Sequence, residues 1–178
     1  MTPQERRNIR LKNDHKEMRN IQGPIVQWKA LKGEPPYVEA YELTVKIRTI
    51  IEPDQKFRDT HVIKVSLPER YPMSPPETMM ITRPQPYHPN WYREGKWCYG
   101  SWDIAEGLGH HVVRMMRTLQ FDKEITNPDS PTSSTIRDWY VDNLDSGWFP
   151  CDTQVLPDPT KSKFEIQTTT RRKFVIQG

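Results

Sequence analysis

The sequence predicts an α+β fold: an N-terminal helix, a four-stranded antiparallel meander and then C-terminal helices. Three observations support this prediction. Apolar and polar residues alternate in successive segments between residues 25 and 82, as they do in half-buried strands. Short connections join these segments, which favours antiparallel neighbours. The segments on either side repeat their apolar residues at helical spacing instead.

The first helix is predicted in TPQERRNIRLKNDHKEM, at the start of the 178-residue chain. Thr2 can cap it, Pro3 occupies its first helical position and Glu5 completes a capping box. Three residues at i, i+4 and i+7 form its apolar face: Leu11, His15 and Met18. The Gly-Pro pair at residues 23–24 ends the helix.

Four segments are predicted to form the meander: IVQWKAL, YELTVKIRTI, HVIKVSL and TMMIT. In the second, apolar side chains at alternate positions face one way: Tyr41, Leu43, Val45 and Ile47. The third repeats the pattern with Ile63, Val65 and Leu67. The alternation therefore gives these strands one face for a shared core.

A proline-rich run surrounds the fourth strand. Its prolines each remove an amide donor and fix φ: Pro72, Pro75, Pro76, Pro84, Pro86 and Pro89. They predict a stiff, extended path over the surface. Stiffness is useful where such a path must hold a reactive group in place.

Two helices are predicted beyond this run, in GHHVVRMMRTLQF and TSSTIRDWYVDN, and NPDSP is predicted to be the turn between them. After Gly147 the character of the sequence changes, and the short alternating pieces KFEIQ and KFVIQ could form a hairpin. We therefore divide the chain into a core domain, residues 1–146, and a C-terminal extension, residues 147–178.

Composition argues against several classes of function. The net charge of +3 is too small to indicate nucleic-acid binding. No apolar run approaches the ~20 residues of a membrane span, and the charged N-terminus has no apolar signal region, so we expect a cytoplasmic protein. The two cysteines, Cys98 and Cys151, are expected to stay reduced. No CxxC pair or HExxH motif occurs, so we predict no metal site and no cofactor.

Four elements occur in order along the chain: LPERYPMSPP, YHPN, Cys98 and NPDSP. In this order the chain resembles the ubiquitin-conjugating enzymes, the second enzymes of ubiquitin-like protein transfer. LPERYPMSPP resembles that family's Tyr-Pro-x-x-Pro-Pro element, and YHPN resembles its His-Pro-Asn signature. Cys98 follows Asn90 by eight residues, which matches the family's spacing. NPDSP resembles its Asn-Pro-Asp loop. The resemblance covers about residues 3 to 145 and implies the family's α+β fold.

The resemblance implies that Cys98 accepts the C-terminal glycine of a ubiquitin-like protein from an activating enzyme, as a thioester, and passes it to an amine, usually a lysine. A thiolate suits both steps because it is a good nucleophile and a tolerable leaving group. Without the motif, a buried structural thiol would be the simpler interpretation. Cys151 has no such context, and we interpret it as structural or incidental.

Asn90 and His88 are implied as further site residues. Asn90 can offer its side-chain amide to the tetrahedral oxyanion, where one donor contributes roughly 3 kcal/mol, or it can pin the loop that shapes the site. We expect His88 to make structural hydrogen bonds rather than to act as a base. Many family members place an acidic residue after the Asn-Pro-Asp aspartate to orient or deprotonate the incoming lysine. Here Ser130 stands at that position, so either Ser130 or Asp129 is expected to take the role.

Two surfaces are implied for partners. The family's first helix contacts the activating enzyme, which makes Arg6, Arg7 and Arg10 candidates, although a solvated basic face is the simpler interpretation. Met73 stands where the family often presents an aromatic residue to ligases, and the neighbouring segment DIAEGLG is shortened, so the use of a ligase is left open. In these departures from the family pattern, the chain resembles the divergent prokaryotic conjugating-enzyme homologues that act in antiviral ubiquitin-like systems.

Three functions are weighed. The first is a cysteine-dependent conjugating transferase. The second is an inactive variant that only binds a ubiquitin-like protein, but such variants usually lack the cysteine. The third is a papain-like cysteine hydrolase, which expects its cysteine at a helix N-terminus, whereas GKWCYGSW shows no clear helix onset. The sequence favours the transferase. Its expected partners are a ubiquitin-like protein, an activating enzyme and a substrate with an acceptor lysine, with neither nucleic acid nor membrane.

Overall fold

The structure, a computed structural model, describes residues 1–162 of the chain. The helices and strands of that part are, in chain order, α1 Pro3–Ile21, β1 Val26–Lys32, β2 Ala40–Val45, β3 Thr49–Glu52, β4 Lys56–Arg58, β5 His61–Ser66, β6 Glu77–Met80, α2 Leu108–Leu119 and α3 Ser134–Asp142. The predicted α+β fold is confirmed, with its N-terminal helix, antiparallel sheet and later helices. The segments KFEIQ and KFVIQ, and the hairpin predicted for them, lie outside the described residues.

The start of α1 has the predicted capping box. The Glu5 amide donates to Thr2 Oγ1 at 3.1 Å, and the Thr2 amide donates to Glu5 Oε2 at 2.6 Å. These two bonds satisfy amides that the first turn of a helix leaves without intrahelical partners. One stripe of α1 is buried against the sheet: Leu11, Asp14, His15, Met18 and Ile21.

The four-stranded sheet has the order β1-β2-β5-β6, and each neighbouring pair is antiparallel, so the predicted meander is confirmed. Leu43 of β2 lies opposite Ile63 of β5, and both are fully buried in the main core. The predicted second strand, residues 41–50, is divided in two. β2 ends at Val45, and β3 pairs with β4 in a separate two-stranded sheet. The division follows from tertiary contacts, because the Arg48 amide is taken by Asp152 Oδ2 at 2.8 Å.

Two carboxylates of α1 cap the first turn of α2. Its N-cap residue, Gly107, has no side chain to offer. Asp14 Oδ1 accepts from the Leu108 amide and Glu17 Oε2 accepts from the Gly109 amide, both at 2.9 Å. A Cβ at Gly107 would lie 2.2 Å from the Glu17 carboxylate oxygens, so a larger residue there would push the Glu17 side chain away from the first turn of α2.

Asp14 joins α1 to two other segments from a position only 1% exposed. Its Oδ2 accepts from Arg10 Nε at 2.8 Å and from the Tyr71 hydroxyl at 2.5 Å, while its Oδ1 holds Leu108. Burial raises the pKa of Asp14, and the hydrogen bonds from Tyr71 and Arg10 only partly oppose that rise. The carboxylate is therefore costly to bury and depends on its partners.

Asp14→Ala is expected to lower the free energy of unfolding by about 3–5 kcal/mol, because it leaves Arg10 and the Tyr71 hydroxyl without their buried acceptor. Urea unfolding measures the change. The matched control is Asp138→Ala, which removes an exposed pair with Arg137 and should change the same quantity by no more than about 1 kcal/mol. Equal losses in the two variants would contradict the role given to Asp14.

A second, smaller core lies beneath β3 and β4. Its buried residues are Ile50, Phe121, Tyr140 and Phe149. The rings of Phe121 and Phe149 stack with centroids 5.1 Å apart, and the Cys151 amide donates to Gln120 O at 2.9 Å. The described part of the C-terminal extension therefore packs on the core, while the boundary at residue 146 stays a prediction.

The proline-rich run departs from the path predicted for it. Its last residues are buried: His88, Pro89 and Asn90. The His88 ring packs 4.3 Å from the Phe121 ring, and the Thr132 amide donates to Pro89 O at 2.7 Å. The expectation of a surface path is wrong for this part, because aromatic packing and hydrogen bonds draw it inward.

Within residues 1–162, none of the helices combines the length and the apolar character that crossing a bilayer requires.

Candidate active site

Cys98 lies just beyond a short bridge between Trp91 and Trp97, in the segment that follows the His-Pro-Asn signature. The Cys98 amide donates to Asn90 O at 3.0 Å, so the two predicted site residues are neighbours through their backbones. Both tryptophans are buried, whereas Cys98 is half-buried. A packed layer therefore supports a cysteine that solvent can reach.

Two cavities meet at Cys98. The first has a volume of about 360 Å³ and is lined by Asn90, Trp97, Cys98, Tyr99, Gly100, Ser101, Arg114, Thr118, Ile125, Asn127 and Ser130. The second has a volume of about 460 Å³ and is lined by Pro68, Ser74, Pro75, Pro76, Glu77, Thr78, Tyr92, Lys96, Trp97, Cys98, Tyr99 and Gly100. The residues common to both, 97–100, form the wall between them. A group attached to Cys98 and a group attacking it can therefore approach from different sides.

The Asn90 side chain clamps the loop that carries Asn127 and Ser130. Its Oδ1 accepts from the Asn127 amide at 2.7 Å, and its Nδ2 donates to Asn127 O at 2.8 Å and to Ser130 O at 3.4 Å. Both hydrogens of the amide are thus used inside the protein. Of the two roles predicted for Asn90, this geometry is that of the loop-pinning one.

His88 is fully buried and makes hydrogen bonds within the fold. Its Nδ1 accepts from the Asn90 amide at 2.9 Å, and its Nε2 lies 3.5 Å from the Thr126 hydroxyl. Burial lowers the pKa of His88 to about 3, so the ring is neutral at physiological pH. These contacts orient the backbone of Asn90 and are compatible with the structural role expected for His88, which stays a prediction.

Ser130 and Asp129, the two candidates for orienting the acceptor, have different surroundings. Ser130 lines the first cavity together with Cys98. Asp129 is exposed and is not among the lining residues of that cavity; its amide donates to Asn127 Oδ1 at 3.0 Å in a tight turn. The structure thus brings Ser130, rather than Asp129, to the space beside the cysteine.

Of the three arginines predicted to face the activating enzyme, only Arg6 is exposed. The Arg7 side chain is 11% exposed; it pairs with Glu39 at 3.2 Å and donates to Pro68 O and Tyr71 O. The Arg10 side chain is 15% exposed and binds Asp14 and Tyr71. The expectation that Arg7 and Arg10 present free cations is therefore corrected, because internal acceptors occupy them. The exposed basic residues of α1 are Arg6, Lys12, Lys16 and Arg19.

Met73 is 68% exposed, as a docking residue must be. The Trp102 indole donates to Pro72 O at 2.8 Å, which ties the Met73 segment to the shortened loop after the cysteine. Ile104 of that loop is also half exposed.

Two residues beside Cys98 are not singled out by the sequence patterns. The interaction of the Tyr92 phenol with Cys98, first through the charge of that cysteine and then with burial, raises the pKa of Tyr92. Arg114 donates to the carbonyl of Tyr99, the residue after Cys98, at 2.6 Å. The segment GHHVVRMMRTLQF holds two arginines, Arg114 and Arg117, and nothing in the sequence distinguishes the one beside the cysteine.

Within the described residues, no group of three or more His, Cys, Asp and Glu side chains is arranged to bind a metal ion. Cys98 also lies ten residues before α2 begins at Leu108, rather than at a helix N-terminus.

Buried histidines predict how stability changes with pH. Burial lowers the pKa of His88 to about 3 and that of His61 to about 4, whereas an unfolded histidine titrates near 6.5. As pH falls below 6.5, these two histidines bind protons in the unfolded chain but stay neutral in the folded chain. The free energy of unfolding should therefore fall, by about 2 kcal/mol per imidazole between pH 7 and pH 5.

Urea unfolding of His61→Asn at the two pH values tests this dependence. In the wild type the free energy of unfolding differs between pH 7 and pH 5, and in the variant this difference should be smaller by about 2 kcal/mol, whatever the variant's absolute stability. Val65→Ala, a buried substitution without a titrating group in the same strand, should keep the wild-type difference. An unchanged difference in His61→Asn would contradict the assignment.

No protein-family model matches the chain. Among curated proteins, the chain is similar to the probable ubiquitin-conjugating enzyme E2 16 of Arabidopsis thaliana. The two are 29% identical over 144 residues, which cover 75% of this chain and 83% of the Arabidopsis protein.

Proposed function

Because this chain is a divergent member of the ubiquitin-conjugating enzyme family, we propose that it carries a ubiquitin-like protein as a thioester on Cys98 and transfers it to the amine of a lysine. The observation that carries the proposal is the position of Cys98. It is the half-buried thiol at the meeting point of two cavities, beside a loop that Asn90 holds in place.

The chemistry needs a thiol that exchanges acyl groups. The Cys98 thiolate attacks the activated carbonyl of the modifier's C-terminal glycine, a carbon–sulfur bond forms and the previous carrier leaves. The acceptor amine then attacks the thioester carbonyl, and the resulting tetrahedral oxyanion collapses as the Cys98 thiolate departs and the amine loses its proton. The two cavities offer separate approaches for the acyl group and the amine.

Asn90 contributes to this reaction by holding the Asn127–Ser130 loop as one wall of the site. Ser130 is the residue we assign to orienting the acceptor amine, since it lines the cavity beside Cys98. His88 supports Asn90 from the interior without exchanging protons at working pH.

The activating enzyme is proposed to bind the exposed basic side of α1, at Arg6, Lys12, Lys16 and Arg19. Lys12, Lys16 and Arg19 share one face of the helix and Arg6 lies to one side of it; such cations attract an acidic partner and speed its association. Met73 and Ile104 form the proposed contact for a ligase. Membership of a prokaryotic antiviral system stays a prediction.

A loading assay separates this proposal from the alternative, an inactive module that only binds a ubiquitin-like protein. The protein is incubated with an activating enzyme, ATP and a candidate ubiquitin-like protein, and is then run on gels with and without reductant. The transferase is expected to form an adduct that reductant removes and that disappears when free lysine is added. Binding of the modifier with no adduct would support the inactive module and contradict the proposed transfer.

A further inference from the structure

We propose that Arg114 is a positioning residue for the reaction of Cys98: its guanidinium holds the carbonyl of the residue after the nucleophile and packs on the ring of the residue before it. This inference rests on the proposed function and adds to it a group on α2. Arg114 does not touch the reacting atoms; it acts through Trp97 and Tyr99, the two chain neighbours of Cys98.

The segment after Cys98 needs a support of this kind. Residues 99–107 contain neither helix nor strand, so regular hydrogen bonding does not hold them. Gly100, two residues after the nucleophile, has a φ of +80°, and a Cβ built there would meet nothing within 4 Å, so on that side no packing fixes its backbone.

Arg114 supplies that support with all three nitrogens of its guanidinium. Nη1 donates to Tyr99 O at 2.6 Å, while Nε and Nη2 donate to the two carboxylate oxygens of Glu106 at 2.9 and 2.8 Å. The guanidinium carbon also lies 5.3 Å from the centre of the Trp97 ring. A planar fork held at three points has little freedom left, so the Tyr99 carbonyl is held with it.

Glu106 is itself anchored, so the support is rigid at its far end. Arg10 of α1 donates to Glu106 O and to Ile104 O, and the Glu106 amide donates to Asp103 O at 2.9 Å. Burial raises the pKa of the Glu106 carboxyl, but hydrogen bonds with His111 and Arg114 outweigh it and bring the pKa to about 2. The pair with Arg114 therefore stays ionised throughout the working pH range.

The expected consequence is a change in rate rather than in binding. Attack on a thioester requires the sulfur, the carbonyl and the incoming amine to be aligned, and a displacement of about 1 Å can cost about 100-fold. Arg114 lines the first cavity, but its donors already serve Tyr99 and Glu106. Its loss should therefore lower the maximal rate of transfer without changing the acceptor concentration that gives half of that rate.

The test compares Arg114→Met, Arg114→Lys and Arg117→Met, each in a Cys151→Ser background. Arg117 lies on the same helix and pairs with Asp122 and Glu124, away from the cysteine, so it controls for a general loosening of α2. Discharge of the loaded thioester to a lysine peptide is followed over a range of peptide concentrations. We expect Arg114→Met to lower the maximal rate by about 10- to 100-fold, Arg114→Lys to recover part of it and Arg117→Met to match the parent.

A second measurement keeps this inference separate from the proposed function. Cys98 is acylated with a small aryl thioester, which needs neither modifier nor activating enzyme, and the rate is divided by the folded fraction from urea unfolding. Slower acylation in Arg114→Met alone would support the positioning role even if no ubiquitin-like protein loads. The inference would be overturned if Arg114→Met were acylated at the wild-type rate per folded molecule, or if Arg117→Met lost as much activity. It would also be overturned if Arg114→Met changed only the peptide concentration that gives half of the maximal discharge rate.

Discussion

Cys98→Ser is expected to abolish the reductant-sensitive adduct, whereas Cys151→Ser should load like the wild type. The chain has two cysteines, both half-buried, but the structure gives their thiols different surroundings. Cys98 lines both cavities. The Cys151 thiol donates to Arg48 O at 3.0 Å, and burial raises its pKa to about 12. A thiol that stays protonated and engaged inside the protein is a poor nucleophile.

Gel electrophoresis with and without reductant measures loading in both variants, and thermal unfolding confirms that each is folded. Cys151→Ser keeps a hydroxyl that can donate to the Arg48 carbonyl, so it should cost no more than about 1–3 kcal/mol of stability. An adduct that survives in Cys98→Ser and disappears in Cys151→Ser would reverse the assignment of the two thiols.

Asn90→Ala is expected to load normally but to discharge to lysine roughly 100-fold more slowly. The variant removes the side chain that holds the Asn127 amide and carbonyl, so the wall carrying Ser130 can move away from the thioester. Thr132 still holds the far end of that loop through Pro89 O and Trp91 O, which is why we expect a slowed reaction rather than an unfolded site. Single-turnover discharge of the preloaded protein gives the rate.

Amide hydrogen exchange distinguishes the two roles weighed for Asn90. If it pins the loop, exchange at the Asn127 amide should speed up in Asn90→Ala, and the free energy of unfolding should fall by about 1–3 kcal/mol. If it instead donates to the oxyanion, discharge should slow while exchange and stability stay as in the wild type. Equal discharge rates in the variant and the wild type would count against both roles.

Local patterns in the sequence predicted most of the fold. The capping box at Thr2 and Glu5 depends only on residues three apart, and the alternation from Tyr41 to Val45 depends only on the two-residue repeat of a strand, so both were readable without coordinates. The end of β2 was not readable, because a distant carboxylate, Asp152, takes the Arg48 amide. The inward course of the proline run was missed for a similar reason: Phe121, which packs on His88, is 33 residues away in the chain.

The sequence by itself determined the order of the elements and pointed to Cys98, since the spacing from His88 and Asn90 to the cysteine is a property of the chain alone. Only the tertiary structure decided which charged and polar groups are free to act. Arg7 and Arg10 look like surface cations in the sequence but are held by Glu39 and Asp14, while Ser130 rather than Asp129 comes to the cavity beside the cysteine. The physical reason is that a side chain's availability depends on acceptors and donors brought to it by folding, and several of those partners, such as Glu39 for Arg7 and the Tyr71 hydroxyl for Arg10, lie tens of residues away along the chain.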